Sequence, residues 1–473
     1  MKKMFYGLLL GTAMFALAAC GNGGGAAPAP QAEGGAAAPP AQAAAEAAAP
    51  EATDEVTTIT WTTWEGGLAL ETFDRMIERF EAENPDIRID HINMPDEYDT
   101  RLAAMIAAGQ IPEIAKLESA TLLFPLAEEG YLANILELIY NCPVQDFPLE
   151  SLMPAARFMY DDDTMIGYGP GPQVMIMYFN PRLFDEAGIP HPPANWDQAW
   201  DWDTFVHHAK SLTIDEQGNN AHDPDFDPNN IRQFGINMGQ WWANWGGFVI
   251  SAGSDYLSAD GMRLGLLEPG GIQALQNFVD LIHVHHVHPT PEFQGALPGM
   301  AERFITGRVA MEIGGHWNNM GLMMGGVDYQ LAALPRIGDR SRTKLVTGSL
   351  SIFDTPHNDL AWRFFKFILT PEPDEMDLQT SGLWTPSTVD LLQPQYLYRW
   401  LTPNHPPGYE EVVIRALLDD TAVQTFTGRV RNFSRIQDIV SPALDLAWAG
   451  DMTVEEALQD VIHHIDPLIE GWR

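Results

Sequence analysis

Trp241, Trp242 and Trp245 form the densest group of recognition side chains in this sequence, and Gly246-Gly247 follows them at once. No regular period puts three indoles within five residues on one core face. One or two are therefore expected to face a cleft, while the others wedge between helices. An indole offers a flat apolar surface and one N–H donor. It can stack on the C–H face of a sugar ring or hold an organic cation over its π-cloud. Trp64-Glu65-Gly66-Gly67 stands just past the end of the first strand, where open α/β sheets bind ligands. Glu65 can accept from hydroxyls there, or place a charge at a helix N-terminus. Glu118 and Ser119 follow a strand-like segment around Ile114 and are expected on the same rim.

Two clusters have the chemistry of metal ligands. His283, His285, His286 and His288 crowd a helix end, and could chelate only if the chain bends at Pro289. The other reading is a solvated terminus where histidine complements the helix dipole. Asp223, Asp225, Asp227 and Asn229 alternate like the start of a calcium loop, but Pro228 and Phe234 stand where an EF-hand needs Gly and Glu. A looser calcium site at Asp223, Asp225 and Asp227 competes with a plain run of Asp-Pro turns. No resident metal or cofactor is expected. The phosphate-binding G-x-x-x-x-G-K-[ST], H-E-x-x-H, C-x-x-C and G-x-S-x-G patterns are all missing, so an enzyme is not expected. A secreted glycosidase, which needs only two carboxylates across a cleft, is the remote alternative.

The elements that must position these residues belong to a long chain of 473 residues, enough for two or three domains. The hydrophobic share of 45% supports a sizeable core. A net charge of −38 repels phosphate backbones, so nucleic acid is not an expected partner. Residues 1–19 read as a signal peptide, with Lys2 and Lys3 before an apolar run too short to span a bilayer. Leu17-Ala18-Ala19-Cys20 resembles the bacterial lipobox, which makes Cys20 the expected lipidation site and the protein anchored rather than spanning. With Cys20 lipidated, Cys142 has no partner for a disulfide and reads as a small core residue. Residues 20–55 are Ala/Gly/Pro-rich, a tether reaching about 30 Å as a coil or about 100 Å extended.

Beyond the tether, strands and helices alternate. Thr57–Trp61 is β-branched and aromatic, and Leu70, Phe73, Ile77 and Phe80 recur at helical spacing until Asn84-Pro85. Ile87–Ile92 alternates as a strand, and Tyr98–Ala108 repeats the helical period. Val174–Phe179 is a further strand, and helices are expected from Leu183, over Trp202–Leu212, Gly271–His283, Leu360–Leu369 and Val454–Ile469. Crossovers of this kind predict parallel strands in an α/β layer.

Several segments are similar to one family. Phe80-Glu81-Ala82-Glu83-Asn84-Pro85-Asp86-Ile87 resembles its helix-to-strand signature, and Ala107-Ala108-Gly109-Gln110-Ile111-Pro112-Glu113 resembles "AAGxxPD". Met177-Tyr178-Phe179-Asn180 through Gly188-Ile189 resembles "YYNKxLFxxAGI", and Trp196 or Trp202 heads a "TWDEF"-like helix. Phe304–Met311 with Gly314-Gly315-His316-Trp317 resembles "FxxGKAAM…GxW", and Ala361–Ile368 resembles "AWEFIKFL". In order and spacing these resemble the maltose-binding-protein-like solute-binding proteins of ABC sugar importers. The resemblance implies a two-lobe α/β fold with a cleft between lobes joined by crossing hinge segments. Lobe 1 would take 56–172 with a return segment at 348–392, and lobe 2 would take 173–347 with C-terminal helices at 393–473.

The resemblance also implies a function and further site residues. A sugar or oligosaccharide would bind in the cleft and be handed to membrane permease subunits, by a monomer held outside the cell membrane or in a periplasm. Trp317 stands where the family stacks an aromatic, with His316 beside it as a donor. Gln173 stands at the first crossing, and Trp384 near the last, where packing at the hinge is an equal reading. Leu117 and Glu118 depart from the family's aromatic and Asp, which leaves the sugar open. Within the same fold, a polyamine suits the acidic rim and the indoles, whereas glycerol phosphate would want an Arg or Lys cluster. An iron chelate is a further alternative.

Overall fold

The computed structural model describes residues 56–117, 122–142, 147, 149–372, 375–419 and 421–473. The signal peptide, Cys20, the tether and the pair Glu118 and Ser119 lie outside the described residues. The strands in chain order are β1 (Thr57–Thr63), β2 (Ile87–Asn93), β3 (Ile114–Leu117), β4 (Arg157–Asp161), β5 (Thr164–Tyr168), β6 (Gln173–Phe179), β7 (Ile214–Asp215), β8 (Ile231–Met238), β9 (Val309–Gly315), β10 (Gln330–Ala332), β11 (Thr343–Val346), β12 (Ser349–Ile352) and β13 (Ala422–Val423). They make two sheets, one in the order β2-β1-β3-β12-β5-β4 and one in the order β13-β11-β6-β9-β8-β7, with β10 beside β6. Segments 56–172 and 348–392 carry the first sheet, and 173–347 and 393–473 carry the second.

The parallel layer expected from the crossovers holds for β2, β1 and β3. It gives way at β12, which enters antiparallel between β3 and β5 because it arrives from the other lobe. The helix Leu68–Glu83 covers the first sheet with Phe73, Met76 and Phe80, all buried. Trp61 of β1 is fully buried and centres this layer, stacked on His91 at 4.5 Å and edge-on to Phe73 at 5.1 Å and Phe364 at 5.3 Å. Phe364 belongs to the returning helix Asn358–Leu369, whose Arg363 clamps Asp86 at 2.7 Å before β2. The returning helix is thereby fastened to the layer of the first sheet.

In the second lobe the helices Trp202–Leu212, Trp242–Ser251, Pro269–His283, Phe433–Ala449 and Val454–Ile465 surround the sheet. Two of these packings need the absence of a side chain. A Cβ at Gly247 would lie 2.7 Å from the Arg342 carbonyl oxygen, so the helix Trp242–Ser251 can rest directly on the entry to β11. A Cβ at Gly235 in β8 would fall well inside van der Waals contact distance of the Ala209 carbonyl oxygen. No helix among the described residues is long and apolar enough to cross a membrane.

Gly235→Ala should therefore push the helix Trp202–Leu212 off its strand and destabilise the protein by about 1–3 kcal/mol. Urea unfolding of wild type and variant measures this, and an unchanged midpoint would contradict the close approach.

Candidate functional site

Three stretches of chain run side by side between the two sheets. Residues 169–172 lead from β5 to β6, Thr347-Gly348 leads from β11 to β12, and Leu383–Thr388 begins the last return. Side chains tie the third to the first. Thr385 and Ser387 hydroxyls donate to the carbonyls of Pro172 and Pro170, the Tyr168 hydroxyl donates to the Ser387 carbonyl, and the Gln173 amide donates to the Leu383 carbonyl. Proline has no N–H but keeps its carbonyl, so Gly169-Pro170-Gly171-Pro172 serves here as an acceptor strip.

Above this floor lies a cavity of about 610 Å³, lined from both lobes. Its indoles are Trp64 and Trp384 on the side of the first sheet, and Trp241 and Trp317 on the side of the second. Three of the four lie against glycines. A Cβ at Gly348 would meet the Trp64 ring at 2.6 Å, and one at Gly171 would meet the Trp384 ring at 2.5 Å. A Cβ at Gly315 would overlap the Trp317 ring. Trp241 and Trp317 are the residues at which two helices, Trp242–Ser251 and Asn318–Met324, begin. Their rings meet edge to face at 5.9 Å.

Glu65 leaves the end of β1 toward Lys116 of β3 and forms an ion pair with it, both side chains about nine-tenths buried. The Asn93 amide holds the Glu65 carbonyl, which fixes the turn. The ammonium of Lys116 lies 4.1 Å from the Trp64 ring centroid and 5.2 Å from that of Trp384. Trp64 is backed by Tyr98 at 5.3 Å, whose phenol is raised by burial despite its bond to Thr62. Flat apolar rings, one compensated ion pair and the amide of Gln173 can bind a small polar solute with apolar faces.

A family model described as bacterial extracellular solute-binding protein matches residues 66–375. The chain belongs to this family. Among its relatives, a putative binding protein of Brucella abortus is 23% identical over 403 residues, covering 84% of this chain and 90% of that one. An sn-glycerol-3-phosphate-binding periplasmic protein of Shigella flexneri is 22% identical, covering 88% and 93%. Among solved structures, an ABC substrate-binding protein of Listeria monocytogenes in complex with cycloalternan superposes with a TM-score of 0.70 at 21% identity, covering 87% and 97%. The two-lobe fold is common to these structures.

This solute-binding protein brings together Trp64, Glu65, Gln173, Trp241, Trp317 and Trp384 around one cavity. Three other expected site residues do not reach it. Trp242 and Trp245, three apart on one helix, both turn inward, Trp242 against Phe426 and Phe433 and Trp245 donating to the Gln240 carbonyl. His316 is fully buried and hydrogen-bonded to the Tyr409 hydroxyl, and burial with the neighbouring His405 pushes its imidazole down to about 3. The loop read as a calcium candidate is a set of capped turns instead. Asp223 accepts from Asp225 N at 2.9 Å, Asp227 accepts from Asn229 N at 3.0 Å, and Asp225 lends its carbonyl to Asn219. His283 bonds the Trp448 carbonyl and His288 the Met238 backbone, so the histidine patch points to separate neighbours. Among the described residues no group of three His, Cys, Asp or Glu is placed to hold an ion. Sequence reasoning missed Lys116, Thr347 and Gly348, because only pairing across the sheet and the crossing of the lobes brings them to the cavity.

Strand β9, which leads into Trp317, carries a buried carboxylate. Burial pushes Glu312 up to about 7, outweighing Arg303, whose guanidinium donates to it at 2.6 Å. Because the folded value exceeds the ordinary 4.5, the contribution favours folding below about pH 4.5 and is lost as pH rises through about 7. Wild type should thus lose up to about 3 kcal/mol relative to Glu312→Gln across that interval. Urea unfolding at both ends of the interval checks it, and a constant difference between the two proteins would refute it.

Proposed function

We propose that the protein captures a neutral sugar or short oligosaccharide between its lobes and delivers it to the permease subunits of an ABC importer. The observation that carries this reading is the set of four indoles around one cavity, two from each lobe. Sugar rings present C–H faces to such walls and hydroxyls to the amide and carboxylate between them. Glu65, Gln173, Trp64, Trp241, Trp317 and Trp384 are the proposed contacts. Glu118 and Ser119 follow directly after β3 and are proposed to complete the rim. A volume of about 610 Å³ falls within the range of ordinary small-molecule sites.

A ligand that touches both walls binds the closed arrangement of the lobes better than an open one, and shifts the population by that difference alone. The permease then reads the closed form. Cys20 as a lipid anchor, the 20–55 segment as a tether and a monomeric receptor complete the proposal. The cycloalternan ligand of the Listeria protein supports a saccharide. The glycerol phosphate ligand named for the Shigella relative favours an anion. Against that, the cation among the described cavity residues is already paired with Glu65.

Calorimetric titration with maltose, maltotriose and monosaccharides, beside sn-glycerol 3-phosphate and spermidine, tests the reading. One-to-one binding of a neutral sugar is expected, and Trp317→Ala should weaken it by about 1–3 kcal/mol, roughly fivefold to 150-fold. Binding of spermidine or the phosphate with no heat from any sugar would sink the sugar assignment.

A further inference from the structure

Stacking a sugar requires no ion pair, yet the cavity contains one. Among the described residues that line it, Glu65 and Lys116 are the charged side chains, and they are bonded to each other. Glu65 stands just past β1 and Lys116 lies in β3, 51 positions apart, and they are about 9% and 8% exposed. The Lys116 ammonium also sits within cation–π range of two indoles, Trp64 and Trp384. Glu65 keeps a second oxygen, Oε2, that is buried and meets no partner among the described residues.

We propose that the Glu65–Lys116 pair is a charge filter that reserves the cavity for uncharged, hydroxyl-bearing ligands. The inference rests on reading this cavity as the ligand site. A net charge of −38 draws cations toward the protein, and tryptophan-lined cavities hold them. Here the protein's own ammonium already lies against the rings of Trp64 and Trp384, so an added amine there sets a second positive charge beside it. An incoming phosphate meets the same obstacle from the other side, since Lys116 is neutralised by Glu65. Either kind of ligand would leave an uncompensated charge beside a pair about nine-tenths buried, which is costly. A polyol adds no net charge. The terminal torsion of a glutamate is soft, so the carboxylate can turn an oxygen to a ligand hydroxyl while the other stays on the ammonium.

Calorimetry on the full chain tests the filter with spermidine, sn-glycerol 3-phosphate and maltotriose as probes. The proteins are wild type, Lys116→Gln, Glu65→Gln and the double variant, with melting curves to establish folding. Lys116→Gln should gain at least about tenfold in affinity for spermidine, and Glu65→Gln at least about tenfold for sn-glycerol 3-phosphate. The double variant, which removes both charges of the pair together, should gain neither. Folded single variants that bind both charged probes no better than wild type overturn the filter. Wild type needs no substitution to speak to it: tight binding of spermidine or the phosphate by wild type also overturns it. Charged-ligand gains as stated, with no neutral sugar binding to wild type, would keep the filter and remove the sugar reading instead.

Discussion

Everything on either side of the cavity hangs on the three chain segments that cross between the sheets and on the hydrogen bonds that fasten the third to the first. Thr385, Ser387 and Gln173 lend side-chain donors to a neighbouring backbone, and Tyr168 adds a fourth. Three of these bonds are buried and that of Gln173 partly so, where leaving a polar group unmet is expensive. They therefore fix the spacing of the crossings, and with it the distance between the walls that the crossings support. The same segments supply glycines where indoles come to rest, at Gly171 behind Trp384 and at Gly348 behind Trp64. Site and joint are made of the same residues.

The division among the tryptophans follows from helix geometry. Trp241 precedes its helix and is free of the helical period, so it turns outward to the cavity at 38% exposure. Trp242 and Trp245 lie three apart within the helix, share a face, and enter the core with Phe426. Gly246 and Gly247 let that helix lie against Phe426 and the entry to β11. A crowded aromatic stretch is in this way split between the core and the cavity wall at a single helix boundary.

Much of the architecture was legible in order and spacing. The strands at Thr57 and Ile87, the helices at Leu68, Tyr98 and Trp202 and the return helix at Asn358 carry clean periods or clear stop signals. The helix Trp242–Ser251 did not, because nearly all of its residues are buried and two adjacent glycines interrupt any amphipathic pattern. The helix Phe433–Ala449 hides behind Pro442 in its middle. Within the cavity, aromatic residues announced themselves by type. Lys116 did not, since a lysine in a strand reads as a solvated side chain until the neighbouring strand brings a carboxylate to it. His316 misled for the opposite reason: it shares with Trp317 the turn between β9 and the helix Asn318–Met324, yet its ring goes to Tyr409 rather than to the cavity.

The unequal wetting of the cavity indoles has an optical consequence. Trp384 is 3% exposed and packs on Phe73, whereas Trp241 is open to water. An indole in water emits at longer wavelength than one in a dry setting. Trp241 therefore contributes the red edge of the protein's intrinsic fluorescence. A solute that dries its ring would draw that edge toward the blue while the core tryptophans Trp61, Trp245 and Trp400, all fully buried, stay constant. A solute entering the cavity against Trp241 would thus be read by that wall itself, with an internal reference beside it.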